Sequence, residues 1–214
     1  MGEKAFYAVI LSIVVIGGIG IGVSYYHAVS PTPEKATTTI TGPYHLDLVE
    51  IMDASFNQSA GAQPIFYVIN NGTLESTANI RLPSHTEIVV TITSYDMGNA
   101  SVPKEFLKAT GLVGNKVLAI NSTIAMGDNT SQKWEMTLTS FPASQVLHTF
   151  TILNGSSVLV NIPVMPGYTE IAQFYLNSTG SFTWQCEAAC GTGPSGWGGP
   201  MATAGWMTGT VTVY

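Results

Sequence analysis

The sequence is short of charge. Only 9 % of its 214 residues are Asp, Glu, Lys or Arg, against about a quarter in an average soluble protein. Seven Lys and Arg stand against 13 Asp and Glu, for a formal net charge of −6. No basic footprint exists, which argues against nucleic acid as a partner. Cysteine occurs only as Cys186 and Cys190, and histidine only as His27, His45, His85 and His148. No Ser-His-Asp arrangement and no paired carboxylates stand out, so hydrolysis has no support in the sequence. Internal repeats are missing too. Ser, Thr, Asn and Gly carry the polarity instead, a composition that suits an acidic exterior.

A long apolar run occurs once. Residues 5–26, AFYAVILSIVVIGGIGIGVSYY, carry no charge. As a helix they reach about 33 Å, enough to span a bilayer core. Tyr25 and Tyr26 fit an interfacial aromatic belt. Residues 1–27 therefore read as a retained N-terminal transmembrane anchor, with cleavage as the alternative. Residues 28–43 form a Pro/Thr-rich linker, and 44–214 the folded domain. Seven N-x-S/T sequons begin at Asn57, Asn71, Asn99, Asn121, Asn129, Asn154 and Asn177. They favour an exported, glycosylated surface, hence a single-pass protein of the cell membrane with its C-terminal domain outside.

Within 44–214, short β-branched and aromatic runs alternate and are separated by Gly, Asn and Pro. They predict strands at 44–52, 64–70, 78–95, 116–120, 133–141, 146–152, 157–164, 169–177, 181–186 and 209–214. The one helix expected outside the membrane is PKEFLKATG, 103–111. Many short strands at this spacing imply an all-β antiparallel sandwich or barrel.

The residues that carry chemistry are few. His148 lies in VLHTFTI, Cys186 and Cys190 in FTWQCEAACGTG, Met207 opens MTGTVTVY, and Met201 stands nearby as a spare. Thiolate and thioether donors select soft metals, and imidazole suits copper as well. The two cysteines, in an outward-facing domain, can instead pair as a disulfide. Trp184, Trp197 and Trp206 bracket the same segment, as packing residues or as shielding for a redox centre.

In order and spacing these motifs resemble the copper domain of cytochrome oxidase subunit II and, more widely, the cupredoxins. TEIVVTITSYD resembles an early strand of that domain, His148 its first ligand, Cys186 and Cys190 its paired thiolates, and Met207 its axial methionine. The resemblance covers about 78–97 and 146–214 and implies a Greek-key cupredoxin-like β-sandwich that binds copper. There are three departures. Residues 98–145 form an insertion. Ala188, not a glutamate, stands midway between the cysteines. Ala204 occupies the place of the second histidine, and position 204 should face the metal. His85 falls at the opposite pole of its strand, and His45 is not placed by the sequence.

The resemblance implies a membrane-anchored electron-transfer protein, subunit II-like or small blue-copper-like, with a respiratory oxidase or other redox protein as partner. As an enzyme it would be at most the electron-transfer subunit of a terminal oxidase. The alternatives are a metal-free accessory module with a Cys186–Cys190 disulfide, and a carrier that delivers copper to an oxidase.

Overall fold

Strand alternation decides the architecture. In the computed structural model, which describes residues 42–98, 100–121 and 135–214, twelve strands form two sheets. They are β1 (Tyr44–Asn57), β2 (Gly61–Asn70), β3 (Thr73–Ser76), β4 (Asn79–Leu82), β5 (Glu87–Ser94), β6 (Val117–Asn121), β7 (Glu135–Leu138), β8 (His148–Asn154), β9 (Ser157–Val164), β10 (Tyr168–Tyr175), β11 (Gly180–Gln185) and β12 (Thr208–Val213). One sheet runs β3-β2-β1-β5-β10-β6-β7 and the other β4-β12-β11-β8-β9. Hairpins are joined by connections that cross between sheets, and two pairs, β1–β5 and β12–β4, are parallel. The described residues hold no α-helix, and no helix among them is long and apolar enough to cross a membrane. The expected anchor and nearly all of the linker lie outside the described residues.

β5 shows how the pattern works. Ile88, Val90, Ile92 and Ser94 point inward and are buried, while their neighbours are half-exposed. That is the period-two signature of a strand with one face in the core. The inward faces meet in one cluster. Phe66 and Val90 come from the first sheet, Phe150, Ile152 and Trp184 from the second. Trp184 stacks on Phe150 with centroids 5.5 Å apart and donates its indole N–H to Thr77 O at 2.7 Å. It is a packing residue, as is Trp206, edge-on to Phe56 at 4.7 Å.

Two elements differ from expectation. Residues 103–111 are not an α-helix. Only a 3-10 turn, Lys104–Leu107, forms there, and Thr110 then pairs with Asn161. Leu107 and Ala109 are buried while Lys108 and Thr110 are exposed, so the segment follows a two-residue period and lies against β9. β3 was not legible, because all four of its residues are exposed. The signal available was Asn71-Gly72 at φ 49 and 76, the pairing that two-residue hairpin turns prefer.

The stretch 98–145 adds β6 and β7 to the edge of the seven-stranded sheet, through β10. Its first part is pinned by buried Asn161. The amide of that residue donates to Phe106 O at 3.0 Å and Lys108 O at 2.7 Å, and its oxygen accepts from Thr151 Oγ1 at 2.7 Å. Asn161→Ala removes all three of these bonds from a buried site. It should lower stability by about 2–3 kcal/mol, read by urea denaturation.

Candidate metal centre

His148 opens β8 and is fully buried. Its strand neighbour Thr149 donates its N–H towards Cys186 Sγ at 3.5 Å. Cys186 directly follows β11, and its N–H donates to Met207 O at 2.8 Å, which ties the end of β11 to the start of β12. The chain turns back at once, Cys190 N–H donating to Ala188 O at 2.9 Å. Three side chains thus converge. Cys186 Sγ lies 3.7 Å from His148 Nδ1 and 3.6 Å from Cys190 Sγ. One donor atom from each of the three falls within 4.8 Å of the others, close enough to hold a single metal ion. Both thiols are free, and 3.6 Å is far beyond a covalent S–S bond of about 2.05 Å.

A further sulfur approaches from the loop. The methionine whose sulfur meets a cysteine is Met201, with Sδ 3.4 Å from Cys190 Sγ. It sits in a 3-10 turn, Gly199–Ala202, and is buried. Met207 is buried in the core cluster and offers its backbone carbonyl to Cys186. Loop 191–203 therefore folds back rather than bulging outward. Gly191 N–H donates to Gly196 O at 2.7 Å, and Thr192 exchanges two hydrogen bonds with Gly198. Gly191 is the fulcrum. A Cβ there would meet Gly198 O and lie 2.6 Å from Met201 Cγ. Ala204, expected to face the site, is instead exposed and bridged to Thr208. His85 precedes β5 and is exposed, and His45 is level with Val89 on an exposed position of β1.

The far edge of the His148 ring carries what sequence reasoning missed. Nε2 lies 2.9 Å from Asp96 Oδ2 and 3.4 Å from Glu50 Oε1, and both acids are buried. Glu50 Oε2 accepts from Ser94 Oγ at 2.7 Å, its partner across the β1–β5 ladder. A third buried acid, Glu170 in β10, accepts from Met165 N–H at 2.8 Å. The signal was present in the alternation. Leu46, Leu48 and Glu50 share one face of β1, and Glu170, Ala172 and Phe174 one face of β10. Each acid occupies a core position.

Electrostatics follow from this crowding. Burial opposes a charge on His148, but the hydrogen bond to Asp96 and the neighbouring Cys186 overcome it and raise its pKa to about 10. Burial likewise opposes ionisation of Cys186. Its contacts with Cys190 and His148 prevail, and the thiol falls well below its ordinary value. Cys190, which donates to Cys186 and is half-buried, is driven upward. Of the two, Cys186 is the sulfur whose surroundings favour the thiolate. Burial would raise Asp96, yet His148 and the Gly98 N–H hold it below the usual carboxylate range. Burial lifts Glu50 to about 7, against the pull of His148 and Ser94, and lifts Glu170 to about 8.

No family model and no curated protein matches this chain. Among solved structures it is similar to rusticyanin from Thiobacillus ferrooxidans, at 12 % identity over 79 % of this chain and 76 % of that one, TM-score 0.38. It is similar to auracyanin B at 13 % identity, over 81 % and 91 %, TM-score 0.36. A multicopper oxidase follows at 11 %, over 81 % of this chain but only 44 % of that one, TM-score 0.35. Likeness at these scores carries no argument about function. What stands on the coordinates is the two-sheet sandwich and the His148–Cys186–Cys190 cluster.

Glu170 gives a pH prediction. Its folded pKa lies above the ordinary 4.5, so the folded state binds the proton more tightly than the unfolded chain. The resulting stabilisation is complete below about 4.5 and disappears as pH rises through about 8. Thermal melting of the metal-free protein should show stability falling between pH 5 and 8.5, with Glu170 contributing on the order of a few kcal/mol. Glu170→Gln should flatten that slope; an unchanged slope would show that Glu170 is not its source.

Proposed function

We propose that this chain is a copper protein that transfers single electrons, with His148 Nδ1, Cys186 Sγ, Cys190 Sγ and Met201 Sδ as its donors. One observation carries the reading. Four soft or borderline donors stand 3.4–3.7 Å apart along the chain of contacts from Nδ1 to Sδ. A tetrahedral ion with bonds of about 2.0–2.3 Å to nitrogen and sulfur has donor–donor edges of about 3.4–3.8 Å. The three consecutive edges match those of such an ion, and the His148, Cys186 and Cys190 donor atoms all lie within 4.8 Å of one another. Two sulfurs from cysteine and one from methionine favour copper over harder metals.

Copper, when bound, supplies a one-electron couple. The chain supplies the rest. The Cys186 thiol is held below its ordinary pKa by Cys190 and His148, which favours the thiolate that a soft ion binds. Asp96 accepts from His148 Nε2–H, which turns the Nδ1 edge towards the sulfurs; Nδ1 would give up its own proton when an ion binds there. Full burial of His148 and Cys186 keeps water from the donors. Cys190 is the half-exposed member, on the loop side, so a redox partner approaches there.

The wider setting is part of the same proposal. The domain is tethered to the cell membrane by residues 5–26 and faces outward, in a respiratory chain, with an oxidase or another redox protein as partner. The uncharged run supports the tether. The sequon asparagines Asn57, Asn71, Asn154 and Asn177 are all exposed, as glycosylation requires. The cysteine-strand and final-strand motifs, resembling oxidase subunit II, support the respiratory role.

The full chain, reduced and loaded with Cu(II), should retain one copper per chain and show an intense thiolate charge-transfer band. Cys186→Ser should abolish both. A protein with two titratable thiols that stays colourless and holds no stoichiometric copper would refute the reading. A second measurement isolates the loop. Gly191→Ala keeps every donor residue but sets a Cβ against Met201 and the Gly198 carbonyl, which displaces the loop, and should weaken copper binding about tenfold, or about 1.4 kcal/mol. If Gly191→Ala and Met201→Leu both bind copper as the parent does, Met201 is not a ligand.

A further inference from the structure

The imidazole of His148 has two edges, and the reading above uses only one. Around the other, Glu50 and Asp96 converge on Nε2 from two further elements, the end of β1 and the residues just past β5. One oxygen of each carboxylate and Nε2 lie within 4.8 Å of one another. All three residues are at most 3 % exposed.

Each carboxylate is anchored through one oxygen and presents the other. Glu50 Oε2 is held by Ser94 Oγ at 2.7 Å, and Asp96 Oδ1 by Gly98 N–H at 2.6 Å. That leaves Glu50 Oε1 and Asp96 Oδ2 aimed at Nε2, at 3.4 and 2.9 Å. Glu50 Oε1 is fully buried and has no hydrogen-bond partner. A buried carboxylate oxygen without a donor is costly unless a cation or proton meets it. Among the described residues, His148 is the one basic side chain paired with either acid.

We propose that Glu50 Oε1, Asp96 Oδ2 and His148 Nε2 form a binding site for a divalent cation of the zinc class, on the ring edge opposite the cysteines. Bonds of about 2.0–2.2 Å from zinc to nitrogen and oxygen place tetrahedral donors about 3.3–3.5 Å apart. The Nε2–Oε1 separation already matches. The shorter Nε2–Oδ2 separation is a hydrogen bond, which opens by about half an ångström when the cation replaces the shared proton. Binding exchanges that proton for the cation and releases it to solvent. Two carboxylates and one imidazole suit a borderline ion, whereas the cysteine side suits a soft one. The chain thus offers a hard-leaning and a soft-leaning site on the two edges of one ring. Without copper, Nδ1 keeps its proton and one proton leaves from Nε2; with copper on Nδ1, the ring would release both protons and bridge the two ions as an imidazolate.

The test uses the full chain with the sulfur side disabled, as the Cys186→Ser/Cys190→Ser double variant. Equilibrated with Zn(II) alone and desalted, it should retain one zinc per chain. Zinc-edge X-ray absorption should show nitrogen and oxygen neighbours near about 2.0–2.1 Å and no sulfur. Adding Glu50→Gln, or separately Asp96→Asn, should weaken zinc binding at least tenfold, with circular dichroism confirming an unchanged fold. Should those variants misfold, the parent chain preloaded with Cu(I) provides the same readout, since zinc should then take up an all-N/O shell. No retained zinc, zinc bound equally by the carboxylate variants, or a zinc shell containing sulfur would each overturn the proposal. Loss of copper binding with zinc binding intact would refute only the copper reading.

Discussion

The ring of His148 is held from one edge so that its other edge can be used. Asp96 accepts at Nε2, and that hydrogen bond fixes which nitrogen faces Cys186. It also joins the two layers. Glu50 and Ser94 belong to the seven-stranded sheet, and Asp96 directly follows β5, whereas His148 starts a strand of the five-stranded sheet and Cys186 ends another. The imidazole therefore bridges the layers at one end of the sandwich. Its position depends on the register of β1 against β5, where Glu50 is level with Ser94. A slip by one residue would turn Glu50 to the opposite face.

Much of this was readable beforehand, and the failures have physical causes. Strands with one buried face announce themselves by alternation, and β5, β9 and β10 fall close to where that pattern put them. β3 has no buried face and gave no pattern. Residues 103–111 carry helix-forming side chains, but Leu107 and Ala109 are drawn into the core at two-residue spacing against β9, and packing overrode propensity. His148, Cys186 and Cys190 were named from their residue types and spacing. Met201 was named only as a spare, because which methionine reaches the cysteines depends on how a glycine-rich loop folds back, and no periodicity records that. Glu50 and Glu170 were overlooked, although each interrupts an inward-facing series of apolar residues.

The scarcity of charge and the presence of buried acids belong together. The described core has no Lys or Arg paired with Glu50 or Asp96, and Glu170 leans on a single backbone N–H. Glu170, placed in this way, is kept by protonation rather than by a salt bridge, whereas Glu50 and Asp96 share the ring of His148. Such a core favours the folded state when the surroundings are acidic, which agrees with a surface rich in Ser, Thr and Asn.

The distribution of the site along the chain also bears on how the domain matures. Asp96 and His148 are 52 residues apart, and His148 and Cys186 a further 38. Cys190 and Met201 come later still, shortly before the final strand. Closing loops of that length costs entropy before any contact repays it, and sandwiches built on such distant pairings fold slowly. The sulfur donors therefore cannot nucleate the domain during synthesis. They converge only once β8, β11 and the last loop are in place, so a metal ion can recognise only a chain that has finished folding. Until then both thiols lack the contacts that the finished site gives them, and the pairing of His148, Cys186 and Cys190 is the last feature of the domain to form.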